Sequence, residues 1–209
     1  MLLLVLGMAA VILVLFVFGR VRSRLEASFL ADELREAGEG TWRAVAVDPG
    51  RGRLSPSMIA GEVGGDAVEA TGSLLFLPFE HSRELAILRQ DTPVHEGESF
   101  VRAGHAPIDC ALAFRSSDTE WLRGFLARED VRQALGPLCA RAGDDASFVA
   151  VRAGRGAGEP PYRKIVGSRS GLLYFRDPEA GPLDADDIRD VVRILRPLKR
   201  TLLSGARAV

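Results

Sequence analysis

The sequence predicts an α+β fold: an N-terminal transmembrane helix followed by one soluble domain with a largely antiparallel sheet and packed helices. Three observations predict it. Residues 2–18 read LLLVLGMAAVILVLFVF, an apolar run without a charge. Several short segments with a period of two follow, separated by Gly, Pro and Asp turns. In the C-terminal half, residues 118–142 and 184–204 carry apolar side chains at helical spacing.

Thirteen of the seventeen residues in the opening run are Leu, Ile, Val or Phe. A helix of that length is about 26 Å long, close to a hydrocarbon core of about 30 Å, and its insertion gains at most about 4–8 kcal/mol. A cleavable signal peptide needs a basic start and a small-x-small site. Here only Met1 precedes the run, and Arg20, Arg22 and Arg24 follow it. The expectation is an uncleaved anchor over residues 1–19, held in the lipid bilayer through residues 2–18. A juxtamembrane helix over 20–40 and a soluble domain over 41–209 follow. Positive residues near a span stay inside. The expected location is therefore the cell membrane, single-pass, with the domain in the cytoplasm.

The chain has 209 residues, 47% of them apolar and 26% charged, with a net charge of −1. That composition is globular, and no basic field exists to hold nucleic acid. Cys110 and Cys139 are too few for a disulfide scaffold.

In chain order, Leu25, Phe29 and Leu34 are read as one face of the juxtamembrane helix, stopped by Gly38 and Gly40. Strands are expected over Trp42–Val47, Ser57–Val63, Ala67–Thr71 and Leu74–Leu77, with Gly64-Gly65-Asp66 as a hairpin turn. Glu84–Arg89 and Ser99–Ala103 are further candidates. Ile108–Arg115 alternates as a strand, with Ile108, Cys110, Leu112 and Phe114 on one face. Asp118 then opens a helix, and a second helical piece runs from about Asp130 to Ala142. Phe148–Arg152, Tyr162–Val166 and Gly171–Arg176 read as strands. The last helix is expected over 184–204. Pro137 and Pro197 suggest kinks.

The strand opening Ile108-Asp109, the helix ending Val131-Arg132-Gln133-Ala134-Leu135 and the strand ending Leu172-Leu173-Tyr174-Phe175 carry a resemblance. Over residues 105–176 the chain resembles a class of uncharacterised bacterial membrane-anchored α+β domains. That resemblance implies the architecture and supplies no catalytic residue.

Candidate sites are sparse. His81, His95, His105 and Cys110 are types that bind zinc, but their spacings match no ligand motif. Gly154-Arg155-Gly156-Ala157-Gly158 lacks the Lys-Ser/Thr that ends a phosphate loop. No catalytic motif, metal set or cofactor motif emerges. Arg189, Arg193, Arg196 and Arg200 lie 4, 3 and 4 apart, on one stripe of the last helix. Ile188, Val191, Leu195, Leu198 and Leu202 lie opposite. The stripe could face anionic lipid or an acidic protein, or be a solvated outer face. The expected function is a membrane-anchored, non-enzymatic interaction or scaffold module. The alternative is an enzyme or metal-binding domain built on His81, His95, His105 and Cys110.

Overall fold

A computed structural model describes residues 14, 17, 21, 25, 27–35, 42–45, 58–93, 100–145, 147–155 and 168–205. Residues 14, 17, 21 and 25 are helical, as are 27–35, which we call helix α1. Strand β1 covers Arg43–Val45, β2 Met58–Val63, β3 Asp66–Thr71, β4 Leu74–Pro78 and β5 Leu85–Arg89. Helix α2 (Ala106–Ala111), β6 (Leu112–Arg115), α3 (Thr119–Ala127) and α4 (Glu129–Asp144) follow. The chain then forms β7 (Phe148–Arg155), β8 (Ser170–Arg176), a short 3-10 turn and α5 (Ala185–Gly205).

The strands form one eight-stranded sheet in the order β1-β2-β3-β4-β8-β7-β5-β6, every pair antiparallel. Gly64 and Gly65 join β2 to β3 with φ of 53° and 86°. Positive φ at both central residues is what a tight hairpin of this hand requires.

Successive strand residues face opposite sides. Leu75, Leu77, Val151, Leu172 and Tyr174 face the helices, in one core with α1, α3, α4 and α5. Leu74, Phe76, Ala150, Leu173 and Phe175 face the other way and join Met58 and Leu88 in a second buried cluster. The central strands are therefore apolar on both faces, which explains continuous runs such as Leu74–Leu77.

Helix α5 lies on the helix face of the sheet. Its Ile188, Val191, Val192, Leu195, Leu198 and Leu202 are all buried, as their spacing predicts. Helix α1 contributes Ala27, Ala31 and Leu34 to the same core. The Arg35 guanidinium donates to the Trp42 carbonyl oxygen from Nε at 2.9 Å and Nη2 at 2.6 Å, tying α1 to β1. The Trp42 ring in turn lies against the Cα of Gly61 in β2.

Several expectations are corrected. The transmembrane helix is the first. The run 2–18 falls outside the described residues except for Val14 and Val17. Among the described residues, no helix is long and apolar enough to cross a membrane. The continuous helical stretch carries Asp32, Glu33 and Arg35 and sets Ala27, Ala31 and Leu34 into the core, so it is amphipathic. Among the described residues the fold is an antiparallel α+β sheet with packed helices, and the expected membrane span is not found there. The expected contact with a bilayer and the single-pass location lose their support among the described residues.

Leu25, Phe29 and Leu34 do not share a face. Leu34 is buried, while Leu25 and Phe29 are exposed. Five residues advance a helix by about 500°, which turns Leu34 away from Phe29. Ile108–Arg115 is a helix followed by a strand. Pro107 suits the first turn of α2, and the Asp109 carboxylate accepts from the Ala103 and His105 backbone N–H groups at 2.6 and 3.1 Å. Cys110 is consequently exposed. Ser99–Ala103 contributes one bridge, Val101 to Phe114. Tyr162–Val166 lies outside the described residues. Pro137 and Pro197 lie inside α4 and α5 without ending them.

Gly61 admits no side chain, because an added Cβ would fall within the Trp42 ring. Gly61→Ala should therefore lower unfolding free energy by about 1–3 kcal/mol. Gly65→Ala serves as the comparison for a turn glycine with open space around it but a positive φ. Urea denaturation of the three proteins checks this. An unchanged Gly61→Ala midpoint would contradict the packing of Trp42 on β2.

Candidate functional site

The four arginines of α5 do share a stripe, but three have carboxylate partners in the same chain. Arg189 pairs with Asp186 at 2.6 Å and Arg193 with Asp190 at 3.0 Å, each one helical turn back. Arg196 reaches Asp66, at the start of β3, at 2.6 Å and also donates to the Val63 carbonyl oxygen at 2.9 Å. Lys199 joins the same carboxylate at 2.7 Å. Burial alone would raise the Asp66 pKa, but Lys199 and Arg196 override it and hold the carboxyl below its ordinary range. Arg200 is exposed. These cations hold α5 to its own first turns and to the β2–β3 hairpin. The anionic-lipid and acidic-protein readings of the stripe are not carried further.

A second ionic group pins the start of α5. Asp187 lies 3.2 Å from Arg141 of α4 and also pairs with Arg176 of β8. Arg141 lies 2.8 Å from Asp145. Arg176 Nε donates to the Ser147 hydroxyl at 3.1 Å. Three elements thus meet on one carboxylate. Burial pushes the neighbouring Tyr174 hydroxyl above its ordinary pKa, against the opposing pull of Arg141. All the charges are matched and the aspartates lie on the arginines, so the group is a clasp between elements.

The histidines and Cys110 do not come together as a metal set. His95 lies outside the described residues, His105 and Cys110 are exposed, and His81 is buried. Among the described residues, no group of three His, Cys, Asp or Glu side chains could hold a metal ion. This overturns the metal-binding alternative. Cys139 is half-buried, and burial pushes its thiol up to about 11, so it stays protonated at neutral pH.

Two features were not read from the sequence. His81 is only 6% exposed and sits between aromatic rings, Phe79 at 6.0 Å and Trp121 at 6.2 Å between centroids. The other is a line of exposed apolar side chains among the described residues of the first helix, 14, 17, 21, 25 and 27–35. Val14, Val17, Val21, Leu25 and Phe29 are 65%, 52%, 51%, 52% and 71% exposed. At about 100° per residue, their spacing confines them to an arc of about 120°. Ala27, Ala31 and Leu34 lie on the opposite side, in the core. Single exposed apolar residues need no explanation, but five in one line do. Val14 and Val17 belong to the apolar run of the sequence, where their spacing carries no period.

No family model matches the chain, and no curated protein matches it. Among solved structures, it is similar to the crystal structure of the mycobacterial trehalose monomycolate transport factor A, TtfA. The identity is 9% and the TM-score 0.47, over 82% of this chain and 90% of that one. A likeness of this degree carries no argument about what this chain does.

The clasp makes a definite prediction. Asp187→Ala leaves Arg141 and Arg176 facing each other, with side chains only 18% and 16% exposed. Partial solvent screening keeps the loss below that of a fully buried pair, at about 2–3 kcal/mol. Arg193→Gln, on a 75% exposed side chain, should change stability by less than about 0.5 kcal/mol. Equal effects of the two substitutions in chemical denaturation would contradict the clasp.

Proposed function

We propose that this protein is a self-associating structural module, in which two copies pair through the apolar stripe on the outer face of the first helix. The stripe Val14–Val17–Val21–Leu25–Phe29 is the observation that supports the reading. An ideal helix from Val14 to Phe29 measures about 22 Å. Among the described residues on the other side, Ala27, Ala31 and Leu34 are buried in the protein's own core. Apolar side chains left outside in a line lose area to water unless a second apolar surface covers them.

Charge along the segment favours a second copy as the occupant. Arg20, Arg22 and Arg24 precede Leu25, whereas Glu26, Asp32, Glu33 and Glu36 follow it, with Arg35 the one cation among them. An antiparallel pair centred near Leu25 sets the basic half of one copy beside the acidic half of the other and lays Phe29 of each on Val21 of its partner. A parallel pair would set like charges together. Two-fold pairing also makes the patch its own complement, since any contact of one residue with another is repeated with the copies exchanged. A contact of this length falls at the low end of interface sizes, so the association belongs in about the micromolar range.

Sedimentation velocity of the full chain across a concentration series tests the proposal. The wild type should pass from monomer to dimer. Phe29→Glu should weaken the dimer at least about tenfold, about 1.4 kcal/mol, and leave unfolding stability within about 0.5 kcal/mol. Changing Arg20, Arg22 and Arg24 together to Glu should weaken it as well. A wild type that stays monomeric at every concentration, whatever else it binds, overturns the pairing. So does a Phe29→Glu variant that dimerises as the wild type does.

A further inference from the structure

We propose that His81 is an acid-sensitive latch: on taking up a proton its ring leaves the space between Phe79 and Trp121 and frees the start of α3 from the β4–β5 connection. The inference is independent of self-association and rests on a different part of the molecule.

His81 lies in the connection between β4 and β5, two strands separated in the sheet by β8 and β7. Its backbone N–H donates to the Ser170 hydroxyl at 3.2 Å, and that hydroxyl donates to the Phe79 carbonyl oxygen at 2.9 Å. The backbone is thus fixed to the edge of β8. The ring is packed between Phe79 and Trp121, and Trp121 stacks on Phe125 at 5.1 Å. Neither Nδ1 nor Nε2 is exposed to solvent, and neither has a hydrogen-bond partner. An orphaned buried polar group in a native structure calls for a reason.

The neutral ring already leaves one donor and one acceptor unpaired. A protonated ring would bury two donors and a charge. Nothing facing it would compensate. On α3, Trp121 offers only its ring, and the Asp118 carboxylate is occupied by Arg83 and by the Trp121 backbone N–H at 3.0 Å. On β8 the Ser170 hydroxyl is engaged on the backbone side. On α5, Lys199 lies across Phe79, 5.7 Å from that ring, and adds positive charge. On the connection itself, Glu80, Arg83 and Glu84 are exposed. Burial, then the nearby Arg83, lowers the His81 pKa below its ordinary 6.5.

The sign follows. The closed form binds fewer protons than the open one between the lowered pKa and 6.5. Closure is therefore favoured at neutral pH and is lost as pH falls through that window. What opens is the first turn of α3, because Leu122, Phe125 and Leu126 stay in the core. Among the described residues, the polar ties from that turn to the connection are slight: the Arg83–Asp118 pair is exposed, at 44% and 39%, and the Ser116 hydroxyl donates to the Glu84 carbonyl oxygen at 2.5 Å.

Hydrogen exchange of the full chain, corrected for intrinsic rates, tests the latch. From pH 7.5 to 5.5, amides of residues 79–85 and of the first turn of α3, 119–122, should exchange faster by up to about tenfold. Amides of β7 and β8 should keep their protection. His81→Phe and His81→Leu, either of which fills the aromatic gap without a titrating group, should remove the response. An unchanged α3 in the wild type overturns the latch. An equal loss of protection throughout the sheet also does so, because that is general acid unfolding. A response retained by a folded His81 variant overturns it, as does an NMR titration placing the packed ring at or above 6.5.

Discussion

The seat of α5 on the sheet is the interaction on which the rest of the structure depends. Six of its apolar side chains disappear into the core above the strands, a burial worth on the order of 1.5–3 kcal/mol for each. Burial has no direction of its own, and the charges supply it. Asp187 draws α4 and β8 together at one end of the helix. Asp66 draws the β2–β3 hairpin onto Arg196 and Lys199 further along. The β2–β3 hairpin and the central strand β8 are thereby referred to one helix. The position of α1 over β1 and β2 follows from this, since Trp42 and Gly61 meet where the hairpin is already held.

That arrangement decides which surfaces are spoken for. An arginine-rich helix looks in isolation like a binding surface for anions. Asp186 and Asp190 pair with two of its arginines on the surface, and Asp66 draws a third, Arg196, onto the β2–β3 hairpin. The first helix has the opposite history. Its small residues Ala27 and Ala31 allow it to sit close to the core, while its larger ones at 14, 17, 21, 25 and 29 face away. Among the described residues, the exposed apolar line is helical, and it is what motivates the proposed association between copies.

Much of the fold was legible in the sequence, and the exceptions have physical causes. Gly64-Gly65 announced a hairpin because only glycine adopts both positive φ values freely. The buried face of α5 was plain from period alone. Ile108–Arg115 misled because the alternation through Ile108, Cys110, Leu112 and Phe114 continues across a helix end. The signal for that end was Pro107 and Asp109. The pairing of Arg189 and Arg193 was available from the aspartates three residues earlier. That of Arg196 was not, because Asp66 is 130 residues away. His81 sits in a locally polar segment, and its burial is created by α3 and β8, which no local pattern can report. In the first helix, Val14 and Val17 belong to a run that is apolar throughout, so their spacing carries no period.

The central claim is that the outer face of the first helix meets the same face of a second copy, antiparallel. Paramagnetic broadening between molecules tests it most directly. Isotope-labelled protein is mixed with an unlabelled Phe29→Cys, Cys110→Ser chain carrying a nitroxide, so that any broadening of the labelled spectrum comes from a partner. Broadening concentrated on the first helix, strongest near Val21, is the expected result. No intermolecular broadening, or broadening spread over α5 and the sheet, would contradict the account.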